Sequence, residues 1–499
     1  MIDHIIKSSV ERPLLIICIT ILFVMAGWYA FDNLPIDAIP DITNVQVQVI
    51  TPVPAQIPDT IEKNITYPIE NALNSIPGAE EIRSITRYGL SHVTVIFTEG
   101  YDLYRARQLV SEQLQTLDLP EGIKPTLGPI TTGLGEIYHY SLEAKKWEKN
   151  PKKKMEQLME LRTLQEWELK PRLLSVQGVV EVNTIGGYPK QYYIKPKLNK
   201  MKEFGLHFHE ITEAIEKSSY NTGGSYIQQT AENLLVQGNG LIRSVQDIEK
   251  IPVKILQNFT SITIKDVAHV GLDKEIRTGA AVVNGNESIV GSVFMLLGAN
   301  SRTVSKDVDE KIDEIRSALP SWVVLNTLYD RSDLVDSSLN TVQKNLLFGA
   351  LLVVFILVLL IGNTRVALIT AITIPLSLLG TFLLMKIFNI SGSLMSLGAI
   401  DFGIVIDGAV IVMDNCARLV NNAALKKGST LNRWEIKDIV KTSTIEIRKA
   451  AGFGQLIIVI VFLPLFALSG VEGKMFKPMA YGFSFALISA LLLVDSPNV

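Results

Sequence analysis

The chain has 499 residues, 47% of them hydrophobic, and a formal net charge of −3. That near-neutral balance argues against a nucleic-acid partner. The two cysteines, Cys18 and Cys416, lie in or beside apolar runs and have no CxxC neighbour, which excludes a disulfide framework and a zinc-finger site. The apolar residues are not evenly spread: they form one block near the start and a cluster after residue 345.

The first block, Leu14–Ala30, follows His4, Lys7 and Arg12 and runs into GWYAFDNLPIDAIPD with no small-x-small cleavage site. This pattern predicts an uncleaved membrane helix with its basic N-terminal flank in the cytoplasm. The stretch from Asp32 to Lys344 then lies outside, and it is far too long to be a loop. Its first part reads strand (Val45–Thr51), helix (Pro58–Leu73), strand (Glu81–Arg87), strand (His92–Phe97), helix (Leu103–Leu117) and strand (Ile123–Leu127). That βαββαβ order is the split βαβ sandwich.

The pattern starts again with Ile137–Leu142 and a helix at Leu158–Leu174, and VQGVVEVNTIGG echoes IPGAEEIRSITRYG. The second copy is completed only at Thr278–Asn284, Ser288–Phe294, Val304–Leu319 and Val323–Leu328, so Tyr188 to Leu272 reads as an inserted domain. Inside the insertion, His207 and His209 in GLHFHE alternate, with Glu210 adjacent. On a strand they would make a metal site; a solvated helix start before EITEAIEKS is the favoured reading. Glu99, Asp102 and Glu136 near the cleft between the copies are cation-attracting candidates or simply solvated acids.

Five further spans follow: Leu346–Ile361, Ala367–Ile387, Leu394–Met413, Gly452–Leu468 and Met479–Leu493. Eight basic residues between Arg418 and Lys449 fall inside in this arrangement, which obeys the positive-inside rule. Pro375 and Pro464 read as kinks tolerated in a bundle. Met385, Met395, Met413, Met475 and Met479 would suit Cu(I) or Ag(I) if they formed a ladder, but they are scattered and read as core packing. No GxxxxGK[ST] run appears, so nothing supports ATP as the driving force, and no nucleophile–base motif is evident.

The run SLGAIDFGIVIDGAVIVMDN carries Asp401, Asp407 and Asp414. An ionised carboxylate at mid-bilayer costs ~2.5–3.5 kcal/mol on insertion scales. Three in one apolar span imply a protein interior or a wet cavity, with protonation as part of the work. At ~100° per residue, Asp407 and Asp414 fall about 20° apart on one face and Asp401 about 120° away. The three therefore read as a ladder along a wet path and not as one ligand cluster. Gly403 and Gly408 allow neighbouring helices to approach closely. Asp414 has a second reading, as a helix-end residue beside Asn415 and Arg418.

The motifs SSVERPLL, NLPIDAIPDITNVQVQV and GAIDFGIVIDGAVIVMDNCAR resemble those of the resistance-nodulation-division (RND) exporters, and within them the heavy-metal efflux branch. The drug-efflux branch usually places two adjacent aspartates where this chain has DFGIVID. The resemblance implies an α-helical membrane protein with a large α+β periplasmic region: two ferredoxin-like βαββαβ porter subdomains, an inserted docking subdomain and about six transmembrane helices. The implied division is 1–31 for the cytoplasmic start and first helix, and 32–132 for the first porter subdomain. It continues with 133–187 and 273–332 for the second porter subdomain, 188–272 for docking, and 333–499 for helices 2–6, with a cytoplasmic loop at 415–449.

The resemblance also implies a proton-driven antiporter in the inner membrane of a Gram-negative cell, working as a homotrimer with a periplasmic adaptor and an outer-membrane channel. It requires no cofactor beyond protons and the cargo cation. Asp401, Asp407 and Asp414 match the family's proton-relay positions, although the family usually has Glu at the third. The family chain is about twice as long, so the expectation is an N-terminal half that is inactive alone and lacks its C-terminal partner. Zinc, cobalt or cadmium is the favoured cargo, copper or silver the second choice. Metal-ligating residues are unassigned, with His207, His209 and Met395 as weak candidates. The alternatives are a drug-type RND subunit and a non-transporting membrane scaffold or assembly protein.

Overall fold

The computed structural model describes residues 12–37, 40–228, 233–238, 240–255, 260–277, 279–361, 364–393, 396, 398, 402–427 and 431–494. Strands Gln46–Pro52, Ala79–Arg87, Leu90–Phe97 and Thr126–Leu127 form one antiparallel sheet. Its order in space is second, third, first, fourth. Val47, Val49, Val93, Val95 and Phe97 on one face meet Ile61, Ile65, Ile69 and Leu73, spaced four apart along the covering helix. All four helix residues are fully buried, worth ~1.5–3 kcal/mol each before entropy is counted.

Strands Glu136–Ala144, Val179–Ile185, Asn286–Met295 and Val323–Asp330 form a second antiparallel sheet with the same second, third, first, fourth order. Between its second and third strands stands a unit closed by the antiparallel pair Lys190–Pro196 and Ala268–Lys274. That unit has its own small core around Met201, Ile211, Ile248 and Ile264, and it carries the hairpin Thr222–Gln228/Asn233–Gly238.

The first helix of each sheet unit shares an irregularity. The helix from Pro58 to Leu73 contains a π turn at Glu62–Thr66, and the helix from Pro151 to Leu174 one at Gln165–Leu169. Each π turn ends two residues before a proline, Pro68 and Pro171. Proline cannot donate to the carbonyl four residues back and collides with it; the wider turn takes up the mismatch. The turns also carry buried polar groups to the sheet. The Thr66 hydroxyl lies 2.8 Å from those of Ser91 and Thr86, and Gln165 accepts from Tyr140 at 2.9 Å.

Helices Pro13–Asp32, Arg331–Ile361, Thr364–Ile387 and Gly470–Val494 include segments long and apolar enough to cross a membrane. A bent pair running from Trp434 to Phe466 makes a fifth if counted as one span, its 41° bend falling between Ile447 and Ala451 and not at Pro464. Helix Thr364–Ile387 is central: Gly27 of the first helix has Leu379 where a Cβ would stand, and Gly380 has Phe23 and Ser489. Small residues at such contacts let helix backbones approach.

Of the span expected at Leu394–Met413, the part from Phe402 on is helical, in a helix that continues to Lys427; residues 394, 395, 397 and 399–401 lie outside the described ones. Two expectations change. The expected loop 415–449 is mostly helical: the next helix, Arg433–Val461, begins six residues after Lys427, at a capping box in which Glu435 accepts from the Asn432 N–H at 2.8 Å. The last helix begins at Gly470, ahead of the expected Met479, and contains Pro478.

Candidate functional site

The acidic helix Phe402–Lys427 packs on Arg433–Val461, on Thr364–Ile387, on Gly470–Val494 and on Arg331–Ile361. Val405 and Ile406 meet Ala367, Ile374, Ala486 and Ala490, while Val412 and Cys416 meet Ala451. Gly408 closes the second seam, since a Cβ there would lie 2.3 Å from Gln455 Nε2. What stays exposed on the first five turns is Gly403, Asp407, Ile411, Asp414 and Arg418. The spacing of four, four, three and four is one helical stripe. Asp407 and Asp414 thus share a face, two turns or ~10 Å apart along the axis.

Gly403 lies on that exposed face and Gly408 in the packed seam. Asp401 and Met395 lie outside the described residues. No ion pair joins Asp407 or Asp414 to another described residue. Around Asp414 the helix opens into a cleft of about 650 Å³, lined also by Val366, Cys416, Arg418, Asn421 and Val440. The polar groups of the seam are tied instead: Asn415 donates to Ser443 at 2.8 Å and accepts from Arg418 at 2.8 Å, and the Cys416 sulfur lies 3.7 Å from the Thr444 hydroxyl.

The other candidates have local roles. His207 is the N-cap of helix Phe208–Ser218, and its N–H donates to Glu210 at 2.6 Å; it stands at a helix start and not on a strand. Asp102 caps helix Leu103–Gln115, accepting from Arg105 N at 2.6 Å. Glu99 accepts from Gly470 N at 2.8 Å and so ties the first sheet unit to the last helix. Glu136 lies 3.1 Å from His139. Among the described residues no three His, Cys, Asp or Glu side chains are gathered as a metal ion would need.

Sequence reasoning missed one element. Ile36–Asp37, inside the IDAIPD motif, pairs in parallel with Gly392–Ser393, which lead toward the acidic helix. A two-residue strand leaves no periodicity to read.

The family model described as the AcrB/AcrD/AcrF family matches residues 5–494. The cation efflux system protein CzcA of Alcaligenes sp. (strain CT14) is 47% identical over 495 residues, 99% of this chain and 46% of that protein. The nickel and cobalt resistance protein CnrA of Cupriavidus metallidurans is 41% identical, over 99% of this chain and 48% of its own length. The crystal structure of a heavy metal efflux pump superimposes with a TM-score of 0.87 at 34% identity, covering 99% of this chain and 48% of that one. The chain therefore spans about half the length of the relatives it matches.

Proposed function

The chain belongs to the AcrB/AcrD/AcrF family, and we propose that it forms the N-terminal half of a proton-driven exporter of divalent heavy-metal cations. The observation that carries the reading is the shared face of Asp407 and Asp414 on a helix whose other sides are packed. In this reading a proton enters from the periplasmic side, resides on Asp407, and leaves through Asp414 and its open cleft. The ~10 Å between the two carboxylates needs water or a side chain from a covering element as an intermediate. Asp401 extends the ladder toward the outer side. Protonation removes the cost of holding a charge away from water and so shifts the balance between two helix packings. The two sheet units would open and close around the cargo, with the insertion docking onto neighbouring copies in a trimer. A periplasmic adaptor and an outer-membrane channel complete the proposed assembly, and the second half supplies the countercharge and further metal ligands.

Zinc, cobalt and cadmium are the proposed cargo. One supporting relative is named the cobalt-zinc-cadmium resistance protein CzcA, at 47% identity. The test is to express the chain with the C-terminal half of a CzcA relative in a metal-sensitive inner-membrane host. Zinc, cobalt or cadmium tolerance should rise and should be lost in Asp407→Asn. Tolerance that survives Asp407→Asn sinks the proton-relay reading.

A further inference from the structure

Arg331 stands at the junction between strand Val323–Asp330 and helix Arg331–Ile361. Its side chain is only 8% exposed. A buried guanidinium needs fixed partners, and here they come from two separate parts of the chain. Nε and Nη2 both donate to Asp37 Oδ1, at 3.1 and 2.9 Å. Nη1 donates to the Leu134 carbonyl at 2.8 Å, two residues ahead of strand Glu136–Ala144.

Asp37 is itself anchored. Ile36 and Asp37 pair with Gly392 and Ser393, and Gly392 N–H donates to the Pro35 carbonyl at 2.9 Å. Ser393 and Ser396 cap each other, Ser393 N–H donating to Ser396 Oγ at 2.8 Å and Ser396 N–H to Ser393 Oγ at 3.1 Å. Both are nearly fully buried, and Ser393 lies nine residues ahead of Phe402, where the acidic helix begins. One planar fork thus holds the start of inner strand Glu136–Ala144 of the second sheet on one side and, through Asp37, the Gly392–Ser393 strand ahead of the acidic helix on the other. Lysine offers a point charge and cannot hold both in fixed geometry.

We propose that Arg331 is a positioning residue for the acidic helix, and that with Asp37 it forms the joint through which movement of that helix reaches the second sheet. A buried ion pair is a poor device for stability alone, because desolvation offsets most of the Coulomb gain. What it supplies is a single geometry between two elements. The proposal rests on the relay reading for the source of the movement, while the joint itself is tested without it.

The experiment is hydrogen exchange on the 499-residue chain in lipid nanodiscs, comparing wild type with Arg331→Gln, Arg331→Lys and Asp37→Asn. Cutting the joint should speed exchange at Gly392 by about tenfold or more, as local opening there becomes easier, and leave strand Leu90–Phe97 of the first sheet unchanged. Arg331→Lys should restore part of the protection. Asp407→Asn is then added: it should change exchange around Leu134–Tyr138 in the wild-type background and not in Arg331→Gln. Should Arg331→Gln fail to fold, Asp37→Asn gives the same comparison. Unchanged Gly392 protection in folded variants overturns the joint. So does an Asp407→Asn effect of equal size with and without Arg331, or no effect in either background. None of these outcomes touches the relay reading, which stands or falls on metal tolerance.

Discussion

Gly291 lies at the centre of the second sheet, in register with Tyr140 on one side and Thr184 on the other. The Tyr140 ring folds across it: a Cβ on Gly291 would stand 2.2 Å from Cζ and 2.5 Å from the hydroxyl. The ring has no room to retreat, since Tyr140 is fully buried and its hydroxyl donates to the buried Gln165 at 2.9 Å. Burial also pushes the Tyr140 phenol above its ordinary range, with the Gln165 bond acting in the opposite direction. Gly291→Ala must move the ring, break that bond, or part the strands. Overpacking costs ~1–3 kcal/mol, and a buried hydrogen bond about 1 kcal/mol more, so a loss of ~2–4 kcal/mol follows. Trp147 and Trp322 pack against this core, so their fluorescence during guanidinium unfolding reports it. Exchange of the amides in Asn286–Met295 localises the effect. Stability within ~0.5 kcal/mol of wild type, the range of a surface substitution, would refute the packing argument.

Two further outcomes are open to measurement. Burial, with a smaller contribution from Arg87, holds the His92 imidazole below its ordinary range. The unfolded chain therefore takes up a proton that the folded chain refuses. Stability falls as pH drops below about 6.5, and His92→Asn should flatten that dependence in melts at pH 5 to 7; an unchanged slope would exclude His92 as its source. In the membrane region, Gly27→Ala places a Cβ 2.7 Å from Leu379 Cβ and 2.9 Å from its carbonyl oxygen. The clashing atoms include backbone and cannot swing away, so the helices must separate at a cost of ~1–3 kcal/mol; an unchanged melting temperature in detergent would count against the close crossing.

The sheet units were largely legible because alternation and i, i+4 spacing survive in single segments. Val45–Thr51 becomes strand Gln46–Pro52, and Ile61, Ile65, Ile69 and Leu73 line the covering helix. The wheel that put Asp407 and Asp414 on one face agrees with the exposed stripe. The π turns were not legible: the periodicity runs each helix straight through Pro68 or Pro171, and the chain absorbs each proline with one wide turn. The charged run after Asn415 was read by its charges as a loop. Charge sets which side of a membrane a segment occupies and says little about whether it is helical. The Asp37–Arg331 contact was not legible either, since nothing in sequence links residues 294 positions apart.

The contrast along the acidic helix bears on whether its aspartates are structural. A carboxylate retained for packing would be bonded, as buried polar groups are. Asn415 obeys that rule through Ser443 and Arg418, and Cys416 approaches Thr444; both face the helix Arg433–Val461. Asp407 and Asp414 are exposed on the stripe they share with Gly403 and Ile411, and Asp414 borders the cleft that Val366 and Val440 also line. Two acids on the exposed stripe of an apolar helix contribute nothing to the packing of its buried faces. In the proposed relay, the open side is where a carboxylate can change its proton without disturbing a bonded seam. In that proposal Arg418, four residues beyond Asp414 on the same stripe, stands at the end where the relay meets water.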